Sequence, residues 1–150
     1  MEHKPFYITT PIFYPNSKLH IGQAYTASIA DMFARMSRLL GNPTYYLTGV
    51  DENSLKVEKT AKEAGQDIMP FLDEQTQKIK DLFRELRIEY DQYIRTTEKK
   101  HHIGVVEMWK RLQKAGDIYE GTYEGLYCVG CEGFKTEKDL IDGACPDHGT

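Results

Sequence analysis

Pro11-Ile12-Phe13-Tyr14-Pro15-Asn16-Ser17-Lys18-Leu19-His20-Ile21-Gly22-Gln23 runs from an extended apolar segment, through a loop, into His-x-Gly-x at the head of an amphipathic pattern. The first N–H groups of a helix lack carbonyl partners and sit at the positive end of its dipole, so an anion lying there is stabilised. His20 can add an imidazole donor. Gly22 removes a side chain where a phosphate would approach the backbone, and Gln23 can donate from its amide. Taken alone the motif is weak, and an ordinary first-turn histidine fits it as well.

The surroundings decide between these readings. Pro5-Phe6-Tyr7-Ile8-Thr9-Thr10 is aromatic and β-branched, as a strand should be, and His20 to Leu40 repeats apolar residues at helical spacing. The spacing predicts one buried stripe of Ile21, Tyr25, Ile29, Met32, Phe33, Met36 and Leu40. Gly41-Asn42-Pro43 ends that helix. Thr44-Tyr45-Tyr46-Leu47-Thr48-Gly49-Val50 is a second apolar run, which stops at Asp51-Glu52-Asn53-Ser54 before another helical pattern. Strand, helix, strand, helix implies an α/β fold with a parallel sheet and a right-handed crossover, with ligands gathering beyond the carboxyl ends of the strands. His20 and Asp51 both fall there. A carboxylate at Asp51 suits a substrate ammonium; the alternative is a helix cap, for which Asn53 and Ser54 serve equally well.

Farther on, Asn53 to Gly65 reads as a helix closed by glycine. A helix from about Met69 to Arg87 aligns Leu72, Gln75, Ile79, Leu82, Phe83 and Leu86, and Tyr90 to Arg95 reads as a third strand. A last helix, Glu98 to Ala115, has Val105, Met108, Trp109 and Leu112 at core spacing; its His101 and His102 lack Cys or carboxylate partners at ligand spacing and read as surface or packing residues. Beyond Gly116-Asp117 the regular pattern gives way to glycines among short aromatic segments.

In this second region Cys128-Val129-Gly130-Cys131 and Cys145-Pro146-Asp147-His148 form a Cys-x-x-Cys and a Cys-x-x-His pair that use all three cysteines of the chain. Thiolate and imidazole are tetrahedral zinc ligands, and this spacing suits a knuckle. A disulfide would strand one cysteine, and three idle thiols are the remaining alternative. Four protein ligands close the shell, so the expected single zinc ion is structural. A zinc ribbon touching nucleic acid is the other reading of this segment, against which Glu132, Glu137, Asp139, Asp142 and Asp147 would repel phosphate.

Pro11-Ile12-Phe13-Tyr14 with His20-Ile21-Gly22-Gln23, Leu47-Thr48-Gly49-Val50-Asp51-Glu52-Asn53-Ser54 and Tyr123-Glu124-Gly125-Leu126-Tyr127-Cys128 resemble the amino-terminal half of bacterial methionyl-tRNA synthetases, class I aminoacyl-tRNA synthetases. The resemblance runs from about Lys4 to the last residue. It implies a Rossmann-like parallel-sheet nucleotide-binding half, residues 1–117, followed by the start of a zinc-knuckle connective-peptide insertion, residues 118–150. It implies that His20, Gly22 and Gln23 bind ATP, with His20 and Gln23 catalytic, and that Ile12, Tyr14 and Asp51 bind methionine. Cys128, Cys131, Cys145 and His148 would hold Zn2+, and Mg2+ would accompany ATP. The implied reaction is methionine activation through methionyl-adenylate and transfer to tRNA(Met). Two positions depart from the family pattern: Gln23 stands for the last histidine of HIGH, and Asn53 for the histidine of Asp-Glu-His-Gly. The KMSKS loop, the second half of the nucleotide fold and the anticodon-binding domain have no counterpart before Thr150. The chain therefore reads as a fragment, expected by itself to form little or no adenylate. A synthetase for leucine, isoleucine or valine and a non-catalytic zinc-containing binding module are the other readings.

With 19 basic and 23 acidic side chains the net charge is −4, which is no footprint for gripping tRNA by this segment alone. Lys99-Lys100 with His101-His102, and Lys78, Lys80 and Arg84, are the basic groups, and solvated helix faces account for both. The sequence has no apolar stretch near membrane-spanning length. Met1-Glu2-His3-Lys4 has neither secretory nor transit character, so a cytoplasmic protein with no membrane partner is expected, where reduced thiols suit zinc.

Overall fold

The structure, a computed structural model, describes residues 4–149. Met1, Glu2, His3 and Thr150, which fall within the sequence reading of the two ends, lie outside the described residues. Strand β1 (Phe6–Thr9) leads through the loop to helix α1 (Ile21–Leu39) and strand β2 (Thr44–Val50). Helices α2 (Leu55–Glu63) and α3 (Ile68–Glu85) then precede strand β3 (Gln92–Arg95) and helix α4 (Lys99–Ala115). A hairpin, β4 (Leu126–Cys128) and β5 (Gly133–Lys135), and a single 3-10 turn over Glu137–Asp139 follow. The chain separates into two compact units, Met1–Glu107 and Met108–Thr150, the division falling within α4.

In the first unit the strands lie in the order β1-β2-β3, and both pairs are parallel. Phe6 registers with Thr44 and Leu47 with Gln92. The expected α/β arrangement with a parallel sheet is present. At the β2–β3 contact a Cβ on Gly49 would stand 2.2 Å from the Ile94 carbonyl oxygen, so glycine is the residue that lets β3 pair there. The core gathers Phe13, Tyr46, Val50, Ile79, Phe83 and Ile88 with alanines of α1, while Val57, Ala61, Phe71 and Leu72 form a second cluster between α2 and α3. Phe13 meets Phe83 edge-on at 6.3 Å, a favoured aromatic geometry.

The face of α1 is not the predicted one. Its buried residues are Ala27, Ala30, Asp31, Ala34 and Ser37, whereas Ile21, Tyr25, Met32, Phe33, Met36 and Leu40 are exposed and Ile29 is half-buried. Ala27, Ala30, Asp31 and Ala34 carry the same helical period as the apolar stripe. Their small side chains admit the Tyr46 ring, whose hydroxyl donates to the Ala27 carbonyl at 3.2 Å. Asp31 is satisfied in place, accepting from Arg35 Nε at 2.6 Å and from the Glu89 N–H at 2.8 Å.

On α3 the buried set is Phe71, Leu72, Thr76, Ile79 and Phe83. Gln75 and Leu82 are half-buried, and Leu86, expected on this face, is exposed because it caps the helix end. Helix α4 has no buried residue: Val105, Met108, Trp109 and Leu112, expected in a core, are exposed among the described residues. Period alone marks an apolar face and says nothing of what covers it. No helix among the described residues is long and apolar enough to cross a membrane.

Candidate functional site

Beyond β1 the chain returns to β2. Phe13 N–H donates to the Gly49 carbonyl at 3.1 Å and the Asp51 N–H donates to the Phe13 carbonyl at 2.9 Å, a parallel bridge that extends the sheet by one residue. Phe13 is buried in the core, so by the period of two its neighbours Ile12 and Tyr14 face the other way, and both are exposed. With Pro11, His20, Gly22, Gln23 and Thr26, and with Phe13 also contributing to the wall, they line an open cavity of about 470 Å³. The structure thus brings five predicted residues, Ile12, Tyr14, His20, Gly22 and Gln23, into one hollow at the head of α1. Asp51 is not a lining residue of this hollow; its backbone is tied to Phe13, between Ile12 and Tyr14. Lys56 Nζ lies 5.8 Å from the centre of the Tyr14 ring.

His20 is the N-cap of α1. Its Nδ1 accepts from the Gly22 N–H at 3.1 Å, and its own N–H donates to Gln23 Oε1 at 2.9 Å, so the two side chains form a capping box. An accepting Nδ1 carries no proton, which fixes the imidazole proton on Nε2. Because Oε1 of Gln23 is engaged, its NH2 group is the part left to donate. Gly22 eases this arrangement: a Cβ there would stand 3.0 Å from His20 Cε1 and 3.1 Å from Nδ1, so the ring would have to give by a few tenths of an ångström.

At the end of β2, Ser54 caps α2 by accepting from the Lys56 N–H at 3.1 Å, so Asp51 is not that cap. Half-buried Asp51 accepts from the Asn53 N–H at 3.3 Å. Asn53, one of the two departures, donates to the Thr96 carbonyl at 3.4 Å. Sequence reasoning passed over Glu52, which is 2% exposed. Its carboxylate accepts from Arg95 Nε at 2.7 Å, from Thr76 Oγ1 at 3.2 Å and from Thr97 Oγ1, while its N–H donates to Thr96 Oγ1 at 2.8 Å. Arg95 also reaches Asp73 on α3 at 2.6 Å. Burial works against the Arg95 cation, but its bonds to Asp73 and Glu52 outweigh it and hold its pKa above the ordinary arginine value. The signal was the Arg95-Thr96-Thr97 run closing the third strand.

In the second unit Cys128, Cys131, Cys145 and His148 bring their ligand atoms within 4.8 Å of one another. Cys131 Sγ lies 3.5 Å from Cys145 Sγ, and His148 Nδ1 lies 3.7, 3.3 and 3.8 Å from the sulfurs of Cys128, Cys131 and Cys145. A tetrahedral ion with sulfur at about 2.3 Å and nitrogen at about 2.0 Å sets ligand separations of roughly 3.5–3.8 Å, close to the four distances above, so the cluster could hold a metal with a small contraction about Cys128. None of the three cysteines is joined in a disulfide. The bond with Cys145, aided by desolvation and by Cys128, pushes the Cys131 thiol up to about 11, the resistance to ionisation that a bound cation would relieve. Gly130 was not singled out by sequence, yet a Cβ there would fall 2.3 Å from the His148 ring.

The basic groups are largely committed elsewhere. Lys78 pairs with Glu74 at 2.6 Å and Arg84 with Asp81 at 3.1 Å, while Lys80 sits 4.8 Å from the centre of the Tyr93 ring. His101 and His102 lie against each other with ring centres 6.4 Å apart.

Comparison with known proteins bears on the family of the chain. The chain is 49% identical to the methionine–tRNA ligase of Clostridium perfringens over 149 residues, 99% of this chain and 23% of that protein. It is 45% identical to that of Thermotoga maritima, covering 95% of this chain and again 23% of the relative. The chain thus spans about a quarter of the length of these curated relatives. A solved structure, Mycobacterium tuberculosis methionyl-tRNA synthetase in complex with methionyl-adenylate, matches with a TM-score of 0.89 and 38% identity over 98% of this chain and 30% of that one. The LeuRS ternary complex of Agrobacterium radiobacter, at 22% identity and a TM-score of 0.79 over 100% of this chain and 20% of that one, shares the fold. A model of the family described as "tRNA synthetases class I (M)" matches residues 6–150, and with that match running through both the capped cavity and the Cys/His cluster, the chain belongs to the class I tRNA synthetases.

Proposed function

We propose that the cavity at the head of α1 takes part in activating methionine with ATP, as methionyl-adenylate, for transfer to tRNA(Met). The observation that carries this reading is the His20–Gly22 bond, which turns the imidazole so that Nε2–H is the donor left for a ligand. In the proposed reaction a methionine carboxylate oxygen attacks the α-phosphorus of ATP, the new P–O bond forms, and the bond to the leaving pyrophosphate breaks. His20 Nε2–H, the Gln23 amide and the first N–H groups of α1 stabilise the phosphoryl charge, and Gly22 lets phosphate come close. Asp51 pairs with the methionine ammonium, and Ile12 and Tyr14 bound its side chain, the tyrosine ring suiting a thioether. No protein nucleophile is needed; positioning and charge stabilisation suffice. Magnesium, arriving with ATP, supplies further neutralisation of the phosphates.

In the same reading residues 1–117 are the amino-terminal half of the catalytic domain and 118–150 begin the connective-peptide insertion. Cys128, Cys131, Cys145 and His148 hold one structural zinc as a knuckle, supported by ligand separations that match a tetrahedral ion. A cytoplasmic setting, where thiols stay reduced, agrees with that ligand set. The test is amino-acid-dependent exchange of pyrophosphate into ATP by the complete gene product, with methionine, leucine, isoleucine, valine and cysteine in parallel. Exchange with methionine alone is expected. Exchange with another amino acid would reassign the substrate, and none with any would favour a binding module.

A further inference from the structure

We propose that Glu52 is a positioning residue: clamped by Arg95, Thr76 and Thr97, it fixes the loop from which Asp51 meets the amino-acid ammonium. This rests on the reading of Asp51 given above. Each residue of the turn between β2 and α2 is tied down separately. The Asp51 N–H is bound by the Phe13 carbonyl, the Glu52 N–H by Thr96 Oγ1, and the Asn53 amide by the Thr96 carbonyl. Apart from the Phe13 bond, these anchors belong to the segment that closes β3, and Glu52 adds two more through Arg95 and Thr97.

A purely structural role explains this poorly. The Glu52 side chain is fully buried, where an apolar residue of similar volume would stabilise the fold as well or better than an ion pair. Arg95 bonds both Glu52 and Asp73, yet its Nη2 is buried without a hydrogen-bond partner among the described residues. Such a cost is ordinarily met where direction matters more than stability. What the clamp fixes is orientation: Glu52 points inward to β3 and α3, and the adjoining Asp51 is left at the strand end with its own N–H and that of Glu52 both held. Electrostatic recognition of an ammonium by a single carboxylate depends on that direction.

The test uses the complete gene product and methionine-dependent pyrophosphate exchange, with KM for methionine, KM for ATP, kcat and the thermal midpoint measured for Glu52→Gln, Thr97→Val and Thr97→Ser. Glu52→Gln and Thr97→Val are expected to raise the methionine KM by about tenfold or more with the ATP KM within about twofold, and Thr97→Ser to restore the wild-type value. Should Glu52→Gln fail to fold, Thr97→Val, which deletes one hydroxyl, carries the comparison. A lowered thermal midpoint with an unchanged methionine KM in Thr97→Val would overturn the proposal, leaving Glu52 as a folding element. Wild-type protein without methionine-dependent exchange would overturn the parent reading and this proposal together, which sets the two failures apart.

Discussion

Gly22 is asked to do two things that a helix normally keeps separate. As a residue of the first turn of α1 it lowers helix propensity, yet its missing side chain spares the His20 ring a contact of 3.0 Å at the helix end. Gly22→Ala should therefore leave the thermal midpoint within about 4 °C of wild type while raising the KM for ATP about tenfold, because the displaced ring no longer presents Nε2. Thermal melting and exchange kinetics on the same preparation separate the two effects. Tyr46 gives a pH dependence of known sign. Burial, aided by the Asp31 charge, pushes its hydroxyl up from 10.0 to about 12. A group with a raised folded-state pKa contributes stability that is complete below its unfolded value and is lost as pH rises through the folded one. The Tyr46 contribution to stability should accordingly be constant below pH 10 and fall between about pH 10 and about 12. Tyr46→Phe should shrink that alkaline loss in chemical denaturation series, at the cost of the bond to Ala27.

At the scale of elements, the hairpin β4–β5 and the turn after it place ligands from two separated segments, so neither can close the set alone. Removal of metal by a chelator should loosen the hairpin, read as loss of near-ultraviolet dichroism from Tyr127 and Phe134, whose rings stack edge-on at 5.3 Å. Gly130→Ala should weaken zinc roughly tenfold to hundredfold in chelator competition, since His148 must move to accommodate the new methyl group. The clustering of Cys128, Cys131, Cys145 and His148 was legible in sequence because the spacing within each pair is local, whereas the hairpin that carries the first pair was not read. The order of strands and helices was legible for a similar reason: Gly41-Asn42-Pro43 and Gly65 punctuate the chain where apolar periodicity changes. The face of α1 was not, since two stripes of the same period compete, and the small one wins when Tyr46 must fit beneath the helix. Nor was the Glu52 clamp, whose partner Arg95 lies a helix pair away and becomes a neighbour once β3 is placed beside β2.

On the molecule as a whole, each unit exposes apolar side chains, Ile21, Tyr25, Met32 and Met36 in the first and Met108, Trp109 and Leu112 in the second, in a chain of net charge −4. These 150 residues expressed alone should bind a hydrophobic dye and sediment with a concentration-dependent coefficient. Sharp monomer behaviour up to millimolar concentration would show that those faces are tolerated by water. The Cys131 and Cys145 sulfurs, 3.5 Å apart, add a redox hazard. Without an ion at the proposed site, a two-electron oxidant can join them as a disulfide near 2.05 Å, with two protons released, and only Cys128 and His148 of the four remain able to coordinate. Air-exposed, chelated protein should then refuse zinc until a reductant is added, so a metal held at the proposed site would guard these thiols against oxidation as much as it would shape the loop that carries them.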